Sequence, residues 1–102
     1  MSGDAPTLVD VLKQRLLLVQ EISSAQSRNV LNRQLGGGAE FEIERIEREI
    51  AATGASHVLI NELKDARERL QRANAEMAAC DAQCAALERR LEELDRWIAD
   101  GR

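Results

Sequence analysis

Aromatic side chains are almost missing from these 102 residues: Phe41 and Trp97 stand alone, and tyrosine is absent. A compact globular core leans on the large area that aromatic rings bury, so a globule is a poor fit to this composition. Proline occurs once, at Pro6, and nothing after it forbids long helices. Long apolar runs are missing too. None exceeds four residues, as in Leu16-Leu17-Leu18-Val19, far short of the ~20 residues that a membrane-spanning helix needs, so no transmembrane segment is expected. A block of one charge is also lacking. The formal net charge is −4, and Arg45, Arg48, Arg67, Arg69, Arg72, Arg89 and Arg90 all have acidic neighbours one helical turn away. Without a Lys/Arg stripe the chain has no electrostatic footprint for nucleic acid. Met1-Ser2-Gly3-Asp4 offers no basic region ahead of a hydrophobic stretch, so no signal peptide is expected. Together with two cysteines read as reduced thiols, this predicts a cytoplasmic or nuclear setting.

What is present is charge of both signs, 31 % of the chain, together with abundant alanine and leucine at helical spacing. That is the composition of long helices. From residue 59 onward, Leu59, Leu63, Ala66, Leu70, Ala73, Met77, Cys80, Cys84, Leu87, Leu91, Leu94 and Ile98 recur four and three apart without a gap. The 3.5-residue repeat predicts a coiled-coil helix over about 57–99. Its seam is bulky at both ends and small in the middle. Off the seam, Ala75, Ala78, Ala79, Ala82, Ala85 and Ala86 are read as helix formers.

Upstream, residues 1–6 form a polar lead, with Asp4 or Thr7 as candidate helix cap. A first helix is expected over about 7–35, its apolar face marked by Leu8 or Val9, Leu12, Leu16, Val19 and Ile22, then Val30, Leu31 and Leu35. Gly36-Gly37-Gly38 follows. Three glycines inside a helix cost ~3 kcal/mol relative to alanine, which predicts a break. A second segment, about 39–53, carries Ile43, Ile46 and Ile50. On one straight helix Ile50 and Leu59 would point about 180° apart. A turn or kink near Gly54, with Gly54 after the helix end and Ser56 capping the next helix, would bring both rows onto one core; the alternative is a continuous helix that feeds two partners from its two faces. The fold class is therefore all-α, one long helix with two shorter segments. It is either an antiparallel hairpin or a three-helix arrangement, and it is expected to be oligomeric. A first helix ending at residue 35 is too short to cover the long seam, so a partner is expected to complete it.

Chemistry is sparse. His57 reads as a first-turn helix residue. Cys80 and Cys84 lie on one face, but two thiolates cannot complete a zinc site, and helical Cβ directions disfavour a disulfide four residues apart. They read as small apolar seam residues. The carboxylates alternate with arginines on solvent faces, so no enzyme, metal or cofactor is expected. The expected function is assembly: a structural or adaptor subunit that packs helix on helix, or a self-associating bundle that serves a helical client. The partner is thus a helical protein or a second copy. The residues expected to carry binding are Leu59, Leu63, Leu70, Met77, Leu87, Leu91, Leu94 and Ile98, with Trp97 beside them as an end anchor.

Overall fold

The computed structural model describes residues 6–101. It contains two long helices, α1 (Leu8–Thr53) and α2 (His57–Ala99), and no strand among the described residues. Both are closed by local chemistry. At the start of α1 the Thr7 hydroxyl accepts the Asp10 N–H at 3.1 Å, and the Asp10 carboxylate accepts the Thr7 N–H at 3.3 Å. This reciprocal pair satisfies two donors that the helix leaves open. Thr7 is thus the cap; Asp4, the other candidate, lies outside the described residues, as do residues 1–5 of the polar lead. The Thr7 N–H, and then its hydroxyl, hold the Asp10 carboxyl below its ordinary pKa.

The turn lies where the phase of the two apolar rows requires it. Gly54 donates its N–H to the Ile50 carbonyl at 2.8 Å and sits at φ +89°, the left-handed conformation that glycine adopts at lowest cost after a helix. Ser56 then caps α2, its hydroxyl accepting the Leu59 N–H at 3.1 Å. α1 and α2 therefore form an antiparallel helical pair about this turn.

The expected break at Gly36-Gly37-Gly38 is not there. All three glycines lie inside α1, and none has a positive φ. The expected helices over 7–35 and 39–53 are one helix of 46 residues, so the three-segment reading gives way to two. The reason is partly visible at Gly36. A Cβ there would stand 3.5 Å from the Ala73 Cβ and 3.8 Å from both Leu70 Cδ1 and Met77 Cε. The two backbones approach closely at this level, and that packing offsets the propensity cost of the glycine run.

Two compact units divide the chain. One joins the start of α1, up to Ser27, to the end of α2, from Cys80; the other is Arg28–Ala79. In the Arg28–Ala79 unit, the covered row on α1 is Asn29, Asn32, Gly36, Ala39, Ile43, Ile46 and Ile50, with Glu42 at its edge. The facing row on α2 is Leu59, Leu63, Ala66, Leu70, Ala73 and Met77. Residues equidistant from the turn sit at similar levels, and Gly36 lies against Ala73 with Leu70 and Met77 beside it. Ile46, Ala39 and Ala66 are essentially fully buried. In the other unit the covered row on α1 is Val11, Arg15, Leu18, Ile22 and Ala25, and on α2 it is Cys80, Cys84, Leu87, Leu91, Leu94 and Ile98, flanked by Trp97.

This corrects two expectations about α1. It is longer than the helix expected over 7–35, and its length lets it supply a covered row in each unit. Its covered face is also not the one expected: Leu8, Val9, Leu12, Leu16, Val19, Val30, Leu31 and Leu35 are all exposed. Of the face expected for the first helix, only Ile22 is turned inward. Because α1 is unbroken, the row fixed by Ile50, Ile46 and Ile43 continues backwards by steps of four and three to Val11. It passes through the polar Asn32, Asn29 and Arg15 on the way.

Candidate helix-docking face

The nine residues expected to carry binding are placed as follows. Leu59, Leu63, Leu70 and Met77 face α1 in the Arg28–Ala79 unit. Leu87, Leu91, Leu94 and Ile98 line the covered side of α2 in the other, where Leu87 is buried and the rest are half-covered. Trp97 is half-buried beside Ile98 near the end of α2. One helix cannot enclose a row on its neighbour, so most of these side chains keep an exposed edge. They nevertheless form the internal packing of the chain.

A regularly spaced row of exposed apolar side chains lies on α1. Val9, Leu12, Leu16 and Val19 recur three, four and three apart, the spacing of a second row rotated by about 100° from the covered one. They are 59 %, 47 %, 59 % and 39 % exposed, whereas the neighbouring Leu18 is 4 % exposed. The row ends at Ser23 and Gln26, which occupy its next two positions, and the Ser27 hydroxyl donates to the Ser23 carbonyl at 3.0 Å. Scattered exposed leucines are ordinary. A contiguous row at helical spacing is not, and such rows mark contact sites.

The charged side chains of α2 nearest this row are carboxylates, with Arg89 and Arg96 a further step round the helix. Arg15, on the covered row between Leu12 and Leu16, reaches across to α2 and donates its Nε–H to the Asp95 carboxylate at 2.7 Å. Hydrogen bonding to Asp95 holds the guanidinium pKa above its usual value. The contact fixes which flank of α2 borders the apolar row. Glu92 and Glu88 lie three and seven residues before Asp95 on that flank, and both are exposed. Arg96 sits at its outer edge, sharing a shallow groove with Glu92, Asp95 and Ala99.

Elsewhere the polar surface is of mixed sign. Arg45 pairs with Glu42 at 2.6 Å, Glu49 at 3.1 Å and Glu62 at 3.5 Å, and Arg67 with Glu47 at 3.5 Å. Arg45 lowers the Glu42 pKa, chiefly by hydrogen bonding. These pairs are exposed, and each contributes little to stability. A cleft of about 410 Å³ opens beside the thin Gly36–Ala73 level, lined by Asn32, Leu35, Arg69, Arg72, Ala73 and Glu76. Arg69 also pairs with Asp65 at 3.4 Å. The lining offers no nucleophile and no base set against an acid, and the cleft is a consequence of small side chains at that level. Cys80 is buried, Cys84 half-buried, and both are free thiols. Among the described residues no group of three or more His, Cys, Asp or Glu is placed to hold a metal ion. No helix among them is long and apolar enough to cross a membrane.

Reading by residue type missed Arg15, Asn29, Asn32 and Gly36 as inward positions, because none is apolar. The signal was the 4-3 count carried back from Ile50, which needs the helix to be continuous. Comparison with protein families, with curated proteins and with solved structures finds no match to this chain.

Proposed function

We propose that this chain is a non-enzymatic adaptor or structural subunit that mediates protein–protein assembly by helix–helix packing of coiled-coil type. The observation that carries this reading is the second apolar row on α1, Val9, Leu12, Leu16 and Val19, left exposed after the first row is covered. Two helices that bury one stripe each leave such a row in water unless a third helix takes it, and burying apolar area is the main driving force for association. The binding role expected of the α2 seam passes in this reading to α1, since the seam is occupied within the chain.

The test is binding of a fluorescently labelled amphipathic helical peptide with a leucine seam, followed by anisotropy, with light scattering on the chain alone. Saturable binding, or self-association, is expected. Either is lost in the Leu12→Gln, Leu16→Gln variant while helicity is kept, because both side chains face solvent. A wild-type chain that stays monomeric and binds no helix refutes the proposal.

A further inference from the structure

The apolar row on α1 and the carboxylates beside it form one surface, and its charge selects among the helices that could lie on it. The row itself is narrow. Four aliphatic side chains, each about half exposed, fall well short of the roughly 800 Å² per partner that a stable interface buries. The remaining area must come from the flanks. On the flank bounded by the Arg15–Asp95 contact, the next α2 side chains are Glu88 and Glu92. Asp95 is already matched by Arg15; Glu88 and Glu92 would meet whatever the bound helix carries at its own seam edge. The α1 residues of the row are uncharged; on α2, Arg89 and Arg96, one heptad apart, stand a further step round the helix at the outer rim, so Glu88 and Glu92 are the α2 charges nearer the row.

We infer that the row Val9, Leu12, Leu16 and Val19 takes an amphipathic helix of another protein whose apolar seam is edged by lysine or arginine, which pairs with Glu88 and Glu92. This deepens the adaptor reading and rests on it. A second copy of the chain is the weaker occupant. A two-fold axis that sets the two rows antiparallel brings Glu88 and Glu92 of both copies to one side of the interface, and like charges brought together there oppose docking. Charged edges of a helical seam ordinarily decide partner choice in this way.

Two labelled peptides with one leucine seam, edged by lysine in the first and by glutamate in the second, test the inference against the full chain at low salt. The lysine-edged peptide is expected to bind at least tenfold more tightly. The Glu88→Lys, Glu92→Lys variant, altered only at exposed sites, is expected to reverse the order. Leu12→Gln with Leu16→Gln is expected to abolish binding of both. Equal binding of the two peptides overturns the charge selection and leaves the adaptor reading standing. Association of the chain with itself that Leu12→Gln with Leu16→Gln removes makes a second copy the occupant and overturns the inference. Binding of neither peptide by a monomeric chain overturns both readings.

Discussion

Replacing the glycines of α1 by alanine should make the chain more stable, and by an amount that distinguishes a continuous helix from a turn. Gly37 and Gly38 lie in the helix with open space around them, an added Cβ meeting nothing within 4 Å. Each glycine is ~1 kcal/mol less favourable than alanine in a helix interior, so Gly37→Ala with Gly38→Ala should contribute about 2 kcal/mol. At Gly36 the new Cβ would be 3.5 Å from that of Ala73, ordinary van der Waals contact, so the full gain is retained and the triple variant reaches ~3 kcal/mol. For a domain of this size each kcal/mol raises the Tm by roughly 4–8 °C, and the double variant should melt about 8–16 °C higher. Thermal and urea unfolding followed by far-UV circular dichroism measure this. In a turn with left-handed glycines, alanine would instead cost about 1–2 kcal/mol per residue, so a fall in Tm would refute the continuous helix. Gly36→Leu separates space from propensity. It places bulk against Ala73, Leu70 and Met77, and overpacking of that kind costs roughly 1–3 kcal/mol.

Three further outcomes follow from the same structure. Leu18→Ala removes a buried side chain and should cost about 2–5 kcal/mol, while Leu16→Ala, two residues away on the exposed row, should stay within about 0.5 kcal/mol; urea midpoints decide, and equal losses would mean that the covered face is misassigned. Gly54→Ala forces a Cβ into the left-handed region and should destabilise by about 1–2 kcal/mol, and Ser56→Ala should cost ~1 kcal/mol through the lost cap, both read from chemical unfolding. The Asp10 carboxyl has a folded-state pKa below its unfolded value. Its contribution is therefore present above the unfolded pKa and is lost as pH falls through the folded one. Amide exchange at the start of α1 should accelerate over that acid range in wild type, and Asp10→Asn should flatten the change.

The turn and its caps were legible because each depends on residues a few positions apart: Gly54 after Ile50, Ser56 before Leu59. The α2 row was legible because twelve apolar or small residues keep step without exception. The α1 row was not. In its first half two sets of apolar residues compete, Val11, Leu18 and Ile22 against Val9, Leu12, Leu16 and Val19, and the second set is the more regular when polar positions are excluded. Arg15 and Asn29 belong to the covered row, and a residue's type alone does not reveal this. The glycine run hid the answer further, because propensity argued for a break at the point where the phase had to be carried through. The candidate site was affected by the same ambiguity, because the exposed row reads in the sequence as the apolar face of the first helix.

Composition and periodicity by themselves determined that the chain is helical and that α2 is long and continuous, and they pointed to a turn near Gly54 without settling which glycine site reverses the chain. Those properties follow from local propensity, capping and the 3.5-residue repeat, which need no knowledge of distant residues. Which of the two apolar rows on α1 is covered was decided only by tertiary packing. The close approach of Gly36 to Ala73, Leu70 and Met77 goes with a helix that continues through the glycines, and a continuous helix has one phase. Once Ile43, Ile46 and Ile50 are turned inward, that phase turns Val11 and Leu18 inward as well and leaves Val9, Leu12, Leu16 and Val19 to the solvent.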